Sequence, residues 1–152
     1  MARWAFNAKA GEPTASTDRD YEFSLFRNLA DTDPVPCLLS EFSEMVSSGE
    51  FADAVASVRA QTTKPQRDAA KRRLPVVAMS GVFAGGHGVA NLKTHSGLIC
   101  IDFDASDNPN LESCADQWRD KLAQDEFVRL AFISASGNGV AVVCRIEGER
   151  HG

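Results

Sequence analysis

The sequence lacks the features that mark secreted, membrane-spanning and zinc-finger proteins. No apolar run approaches the roughly 18 residues of a membrane span, and the N-terminal MARWAFNAKAGEP has no apolar signal core. Its cysteines form no C-x-x-C pair and have no His at zinc-ligand spacing. They are Cys37, Cys100, Cys114 and Cys144. We therefore expect reduced, mostly buried thiols, no membrane segment and a cytoplasmic location.

Positive charge is scarce over the whole chain and concentrated in one segment. The 16 Lys and Arg residues are outnumbered by 21 Asp and Glu residues, so the net charge is -5 and the domain is no polycation. Five basic residues nevertheless fall within KPQRDAAKRRL, namely Lys64, Arg67, Lys71, Arg72 and Arg73. This cluster fits two interpretations, a solvated helix surface or a phosphate-binding surface.

Length and composition favour one globular domain. The chain has 152 residues, of which 43% are hydrophobic and 24% are charged, close to ordinary globular usage. Residues 1–18 are rich in small and turn-forming residues without a period, which predicts a loose N-terminal arm. Residues 19–152 are expected to form a single domain.

The hydrophobic patterns predict an α+β fold. Alternation at the start of YEFSLFRNL favours a strand, although a helix remains possible there. Apolar residues at helical spacing predict helices in CLLSEFSEMVSSG, FADAVASVRAQ and LESCADQWRDKLA. Gly49 and Asn110 are their expected caps, and Pro65 favours a helical first turn for the basic segment. Buried strands are expected in PVVAMSGVF, SGLICIDFD, FVRLAFIS and GVAVVCRI, so that helices cover one face of a mainly antiparallel sheet.

Two carboxylates end the strand of HSGLICIDFDAS. Asp102 and Asp104 share one face because side chains alternate along a strand, which places their Cβ atoms roughly 6.5–7 Å apart. Both can then reach one hard cation or two adjacent ones. The alternative interpretation is a turn cap, because Asp107, Asn108 and Pro109 follow.

A second candidate site lies in ISASGNGVAVV. Gly137 and Gly139 allow a ligand to approach the backbone, and free N–H groups with the hydroxyls of Ser134 and Ser136 suit phosphate oxygens. The alternative is an ordinary hairpin, with the Asn138-Gly139 pair as its tight-turn signal.

The order of these pieces, RRLPVVAMSGVF, HSGLICIDFD, a helix and AFISASGNGVAVVCRI, resembles the VirE N-terminal, or BT4734-like, domain. The likeness covers roughly Tyr21 to Ile146. This family is a branch of the archaeo-eukaryotic primase superfamily, found with primase and helicase modules of mobile elements. The resemblance implies an RRM-like primase core, a nucleoside triphosphate, a DNA or RNA template, a fused or associated helicase and a replication role in phage or mobile elements.

The same resemblance implies roles for individual residues. Asp102 and Asp104 become catalytic ligands of Mg²⁺ or Mn²⁺ in a nucleotidyltransferase, a chemistry that needs no covalent nucleophile from the protein. The expected nucleotide-binding residues are Ser134, Ser136, Gly137, Asn138, Gly139 and Lys71.

Three features depart from the family pattern. Ala141 stands where relatives place His or Lys, Asn138 stands where a basic residue is frequent, and the chain ends at Gly152, before the expected last carboxylate. Two hypotheses therefore stand: a catalytic core that is incomplete in this chain, or a non-catalytic module that binds DNA or protein.

Overall fold

A computed structural model describes residues 20–146. The predicted N-terminal arm, residues 1–18, lies outside the described residues.

The first sheet surrounds the strand expected near the start of the fold. β1 (Glu22–Phe26) lies between β2 (Val35–Leu38) and β3 (Val76–Ala78), and both pairings are antiparallel. Phe23 and Phe26 of β1 are fully buried. The strand predicted from the alternation of YEFSLFRNL is confirmed, whereas the patterns did not predict β2.

Two amphipathic helices follow. In α1 (Leu39–Ser48) the residues Leu39, Phe42 and Val46 face the core, and Gly49 caps the helix with a φ of 80°. That left-handed conformation costs glycine least, which is why the helix ends there. α2 (Ala52–Arg59) continues with a shorter apolar stripe. Both predicted helices and the predicted glycine cap are confirmed.

The basic segment is helical and exposed. In α3 (Lys64–Lys71) the hydroxyl of Thr63 accepts a hydrogen bond from the Gln66 N–H, and Pro65 occupies the first turn, where its missing N–H is harmless. No residue of α3 is buried.

PVVAMSGVF is not the single strand that the sequence predicts. β3 stops at Ala78, and β4 (Gly81–Phe83) pairs instead with β5 (Leu92–His95) in a separate two-stranded sheet. A Cβ on Gly81 would lie 2.1 Å from the carbonyl oxygen of Thr94, so only glycine permits this close pairing.

The third sheet carries both candidate motifs. It contains β6 (Leu98–Asp104), β7 (Val128–Ile133) and β8 (Gly139–Arg145), in the antiparallel order β6-β8-β7. α4 (Leu111–Leu122) connects β6 to β7 and packs over β7 and β8. Asn110 does precede α4, but its side chain makes no cap bond and its φ is 79°.

Two apolar clusters cover the two faces of this sheet. One joins α4 to Val140 and Val142 of β8, with Phe103 and Trp118 packed at its edge, as their apolar positions predict. The other joins α1 and β1 to Leu98, Leu130 and Val143 of the sheet and to Cys37 of β2.

β6 is not the buried strand that the sequence predicts. Leu98 is buried, but Ile99 and Ile101 are 45% and 42% exposed, and Cys100 is exposed as well. Within residues 20–146, β6 pairs only with β8, and Trp118 of α4 packs on its Phe103 end but leaves Ile99 and Ile101 exposed. β6 is thus an exposed apolar edge.

The α+β class with antiparallel pairing is confirmed, although the strands divide among three sheets. The RRM-like core remains a prediction. No helix within residues 20–146 is long and apolar enough to cross a membrane.

Candidate functional site

The pairing of β6 with β8 brings the two candidate motifs together. Asp102 lies opposite Ala141, and Asp104 lies opposite Gly139. Beyond them, the N–H of Ala105 donates a hydrogen bond of 3.2 Å to the Asn138 carbonyl. The carboxylate end of β6 therefore lies directly beside the Ser/Gly turn, defined here as residues 134–139.

The two carboxylates have different surroundings. Both side chains are exposed and lie on the same face of β6. The Asp102 carboxylate forms no hydrogen bond or ion pair with any residue between 20 and 146. It is therefore available to a ligand.

Asp104 also caps the turn that follows β6. Its Oδ1 accepts a 2.9 Å hydrogen bond from the Ser106 N–H, and its carbonyl accepts bonds from the N–H groups of Asp107 and Asn108. The hydrogen bonds from Ser106, and then the positive charges of Lys71 and Lys64, lower the pKa of Asp104. Asp104 thus fulfils the turn-cap interpretation and still presents a negative charge.

The basic helix α3 carries charges that act on Asp104. Lys71 and Lys64 favour the ionised form of this carboxylate, although less than the hydrogen bonds from Ser106 do. Lys71, predicted as a nucleotide-binding residue, lies at the C-terminal end of α3.

The Ser/Gly turn is held by its own hydrogen bonds. The Ser134 N–H donates to the Gly139 carbonyl and the Gly137 N–H donates to the Ser134 carbonyl, each at 2.9 Å. The hydroxyls of Ser134 and Ser136 are 3.2 Å apart, and Ser136 donates to the Asn138 side chain. The predicted hairpin is confirmed, but its left-handed residue is Gly137, with a φ of 83°, and neither Asn138 nor Gly139.

Arg59 is the residue that the sequence analysis missed. From the end of α2 its Nε donates to the Ala135 carbonyl at 2.9 Å and its Nη2 to the Ser134 carbonyl at 3.1 Å. A Cβ on Gly137 would lie 3.2 Å from the guanidinium carbon, so glycine makes room for this contact. Burial lowers the pKa of Arg59, and the guanidinium brings a positive charge to the turn.

One signal in the sequence points to Arg59. It lies four residues after Val55, on the helix face that buries Val55 and Val58. A cation on an apolar helix face points inward and needs polar partners there. From α2, Arg59 fulfils this requirement by donating to the carbonyl groups of the Ser/Gly turn.

An apolar cleft opens beside the turn. Its volume is about 140 Å³. Phe132, which lines it, and Asp102 both lie opposite Ala141, so they share a face of the sheet about 10 Å apart. Its lining also includes Phe42, Leu74, Pro75, Val77 and Ala135.

The carboxylate pair suits a hard divalent cation in ligand chemistry. Carboxylate oxygens are the donors that Mg²⁺ and Mn²⁺ prefer, and Asp102 has no competing protein partner among the described residues. Within residues 20–146, however, no group of three or more His, Cys, Asp or Glu side chains is placed to hold a metal ion. The described site therefore offers two carboxylates.

Comparison with known protein families gives a match. A family model described as "BT4734-like, N-terminal domain" matches residues 69–152, more than half of the chain. The match includes the carboxylate pair and the Ser/Gly turn. No curated protein and no solved structure matches the chain.

Proposed function

The chain belongs to the BT4734-like N-terminal domain family, and from that membership we propose that it is the metal- and nucleotide-binding core region of a primase-polymerase-like nucleotidyltransferase. The placement of the family in the primase superfamily is part of this proposal, as are a role in phage or mobile-element replication, an associated helicase and a cytoplasmic location.

One observation carries the proposal: the end of the D-x-D strand and the Ser/Gly turn are hydrogen-bonded neighbours. Asp104 pairs with Gly139, and the next residue, Ala105, bonds to Asn138. A metal–triphosphate needs carboxylates for the cation and N–H groups or cations for the phosphates within a few ångströms of each other. The β6-β8 end offers both.

Each residue of the proposed site has a separate role. Asp102 and Asp104 are the metal ligands, and the turn presents to phosphate oxygens the N–H groups that its own hydrogen bonds do not use. A bound divalent cation supplies positive charge that neutralises the triphosphate and the developing charge on its leaving group. Arg59 positions the turn, and Lys71 adds positive charge that acts on Asp104.

The topology of the third sheet supports an RRM-like core. α4 crosses from β6 to β7 while β8 pairs between them, which is a split βαβ arrangement. An RRM-like βαββ segment has this connectivity and this strand order.

Calorimetric titration with Mn²⁺ and a nucleoside triphosphate tests the proposal. The wild-type chain is expected to bind the triphosphate only with the metal present, and Asp102→Asn/Asp104→Asn is expected to abolish that binding. Asp107→Asn/Asp125→Asn removes the same charge from exposed positions and is expected to bind like the wild type. Equal binding by all three proteins would refute the carboxylate site.

A second candidate function is a non-catalytic module that binds nucleic acid or a protein partner. Two observations favour it: no third carboxylate joins the pair within residues 20–146, and Asp104 already caps a turn. Under this alternative, Asp102→Asn/Asp104→Asn leaves nucleic-acid binding nearly unchanged and no metal-dependent triphosphate binding occurs in any variant.

A further inference from the structure

The basic residues of α3 form a continuous stripe. Lys64, Arg67 and Lys71 are spaced three and four residues apart, so they follow one side of the helix over about 10 Å. Arg72 and Arg73 extend the positive charge past the helix end.

This charge is not neutralised within the described structure. None of these five basic residues forms an ion pair with a carboxylate between residues 20 and 146, including Asp68 on the same helix. A chain with a net charge of -5 thus concentrates uncompensated cations on one short helix. Such a surface attracts a polyanion.

The stripe leads into the apolar cleft beside the Ser/Gly turn. Leu74 and Pro75, which directly follow the basic segment, line the cleft together with Ala135 of the turn. Phe132 contributes an aromatic ring at its inner wall, where it packs edge-on against Phe42 at a centroid distance of 5.8 Å. The basic stripe of α3 and the aromatic-lined cleft are therefore joined through Leu74 and Pro75.

We propose that α3 and the cleft form a binding surface for single-stranded nucleic acid, with backbone phosphates on Lys64, Arg67 and Lys71 and one unstacked base in the cleft. The proposal deepens the proposed function, on which it rests, because it names the surface that would hold a template strand.

The size of the cleft favours a single strand over a duplex. A cavity of about 140 Å³ is close to the size that admits one benzene-sized ring. A base can enter it only when it is unstacked and unpaired, which costs little in a single strand and much in a duplex. Free nucleotides carry too few phosphates to span the stripe.

Salt-dependent binding of a fluorescein-labelled oligothymidylate of about 20 nucleotides tests the stripe. The titration is performed in EDTA without nucleotide, so that it does not depend on the metal site. Lys64→Gln/Arg67→Gln/Lys71→Gln is expected to bind more weakly and to reduce the slope of log K against log[salt] by about 2, since each lost phosphate contact removes about 0.7.

Matched charge loss elsewhere provides the control. Lys93→Gln/Lys121→Gln/Arg129→Gln removes two lysines and one half-buried arginine from β5, α4 and β7, and it should keep the wild-type slope. Equal slope losses in the two triple variants would overturn the proposal, as would a wild-type chain that does not bind the oligonucleotide.

Filling the cleft tests the base separately. Val77→Phe places a ring in the cavity and is expected to weaken oligonucleotide binding between about fivefold and about 100-fold while the salt slope stays unchanged. Val76→Phe, the neighbouring β3 position outside the cleft, is the control. Unchanged affinity in Val77→Phe would overturn the assignment of the cleft to a base.

Failure of this proposal is distinguishable from failure of the proposed function. The triphosphate titration of Asp102→Asn/Asp104→Asn tests only the carboxylate site. The oligonucleotide titration concerns only α3 and the cleft, and a protein that fails one test can pass the other.

Discussion

At the scale of single residues, Gly139 joins the two halves of the candidate site. It is the first residue of β8, it pairs with Asp104, and a Cβ there would lie 2.8 Å from the Phe103 carbonyl oxygen and 3.2 Å from the Ser134 hydroxyl. The backbone of β6 cannot withdraw from that contact without losing its pairing with β8. Glycine is therefore required at position 139 because the two strands approach each other closely there, and not because its φ is left-handed.

Gly139→Ala is expected to lower the free energy of unfolding by about 1–3 kcal/mol, since the added methyl group forces β6 and β8 apart. Urea denaturation measures this change. Gly88→Ala, where nothing lies within 4 Å, is the matched control and should cost much less. Equal losses in the two variants would contradict the close approach described here.

Arg59 shows what residue patterns leave undetermined. The sequence located the candidate ligands Asp102 and Asp104 because strand alternation is a local property. The helix pattern places Arg59 on an inward face, but it does not name the partner, because Arg59 meets Ser134 and Ala135 across 75 and 76 residues of chain. Local patterns carry no information about which distant residue a side chain contacts.

At the scale of elements, β6 shows what a hydrophobic pattern predicts and what it leaves undetermined. Its apolar run predicted a strand correctly, but a pattern does not say which neighbour covers a strand. Within the described chain one edge of β6 is unpaired, and the face that carries Ile99 and Ile101 is left exposed beyond Phe103. β2 and β5 were missed for a different reason: VPCL contains proline and LKTH is mostly polar.

The exposed edge of β6 predicts self-association at high concentration, since unpaired strand edges with apolar side chains template further pairing. Ile99→Thr/Ile101→Thr is expected to reduce light scattering while changing the free energy of unfolding by less than about 1 kcal/mol, because both side chains are largely exposed already. Leu98→Thr on the same strand is fully buried and should destabilise the fold instead. Unchanged scattering in the double variant would contradict the role of this edge.

At the scale of the whole molecule, β8 links the two apolar clusters. Val142 and Val143 are adjacent and nearly fully buried, and they face opposite clusters. Loss of packing in one cluster would disturb β8, and the other cluster packs on the same strand. The shared strand therefore favours one cooperative unit within residues 20–146, and the single domain over residues 19–152 stays a prediction.

Val143→Ala is expected to shift the urea midpoint of both clusters together, because the strand is shared. Trp118 fluorescence in a Trp4→Phe background reports the α4 cluster. Alkylation of Cys37, a buried thiol whose pKa burial raises to about 11, reports the other. Two separate midpoints would show that the clusters unfold independently.

The most direct test of the central claim, that the carboxylate pair and the Ser/Gly turn form one metal–nucleotide site, is paramagnetic broadening of amide NMR signals by Mn²⁺ in the presence of a nucleoside triphosphate. The account predicts selective broadening at residues 102–106 and 134–139, which lie side by side. In Asp102→Asn/Asp104→Asn that broadening should disappear. Broadening centred on another part of the chain, or none at equimolar Mn²⁺, would contradict the claim.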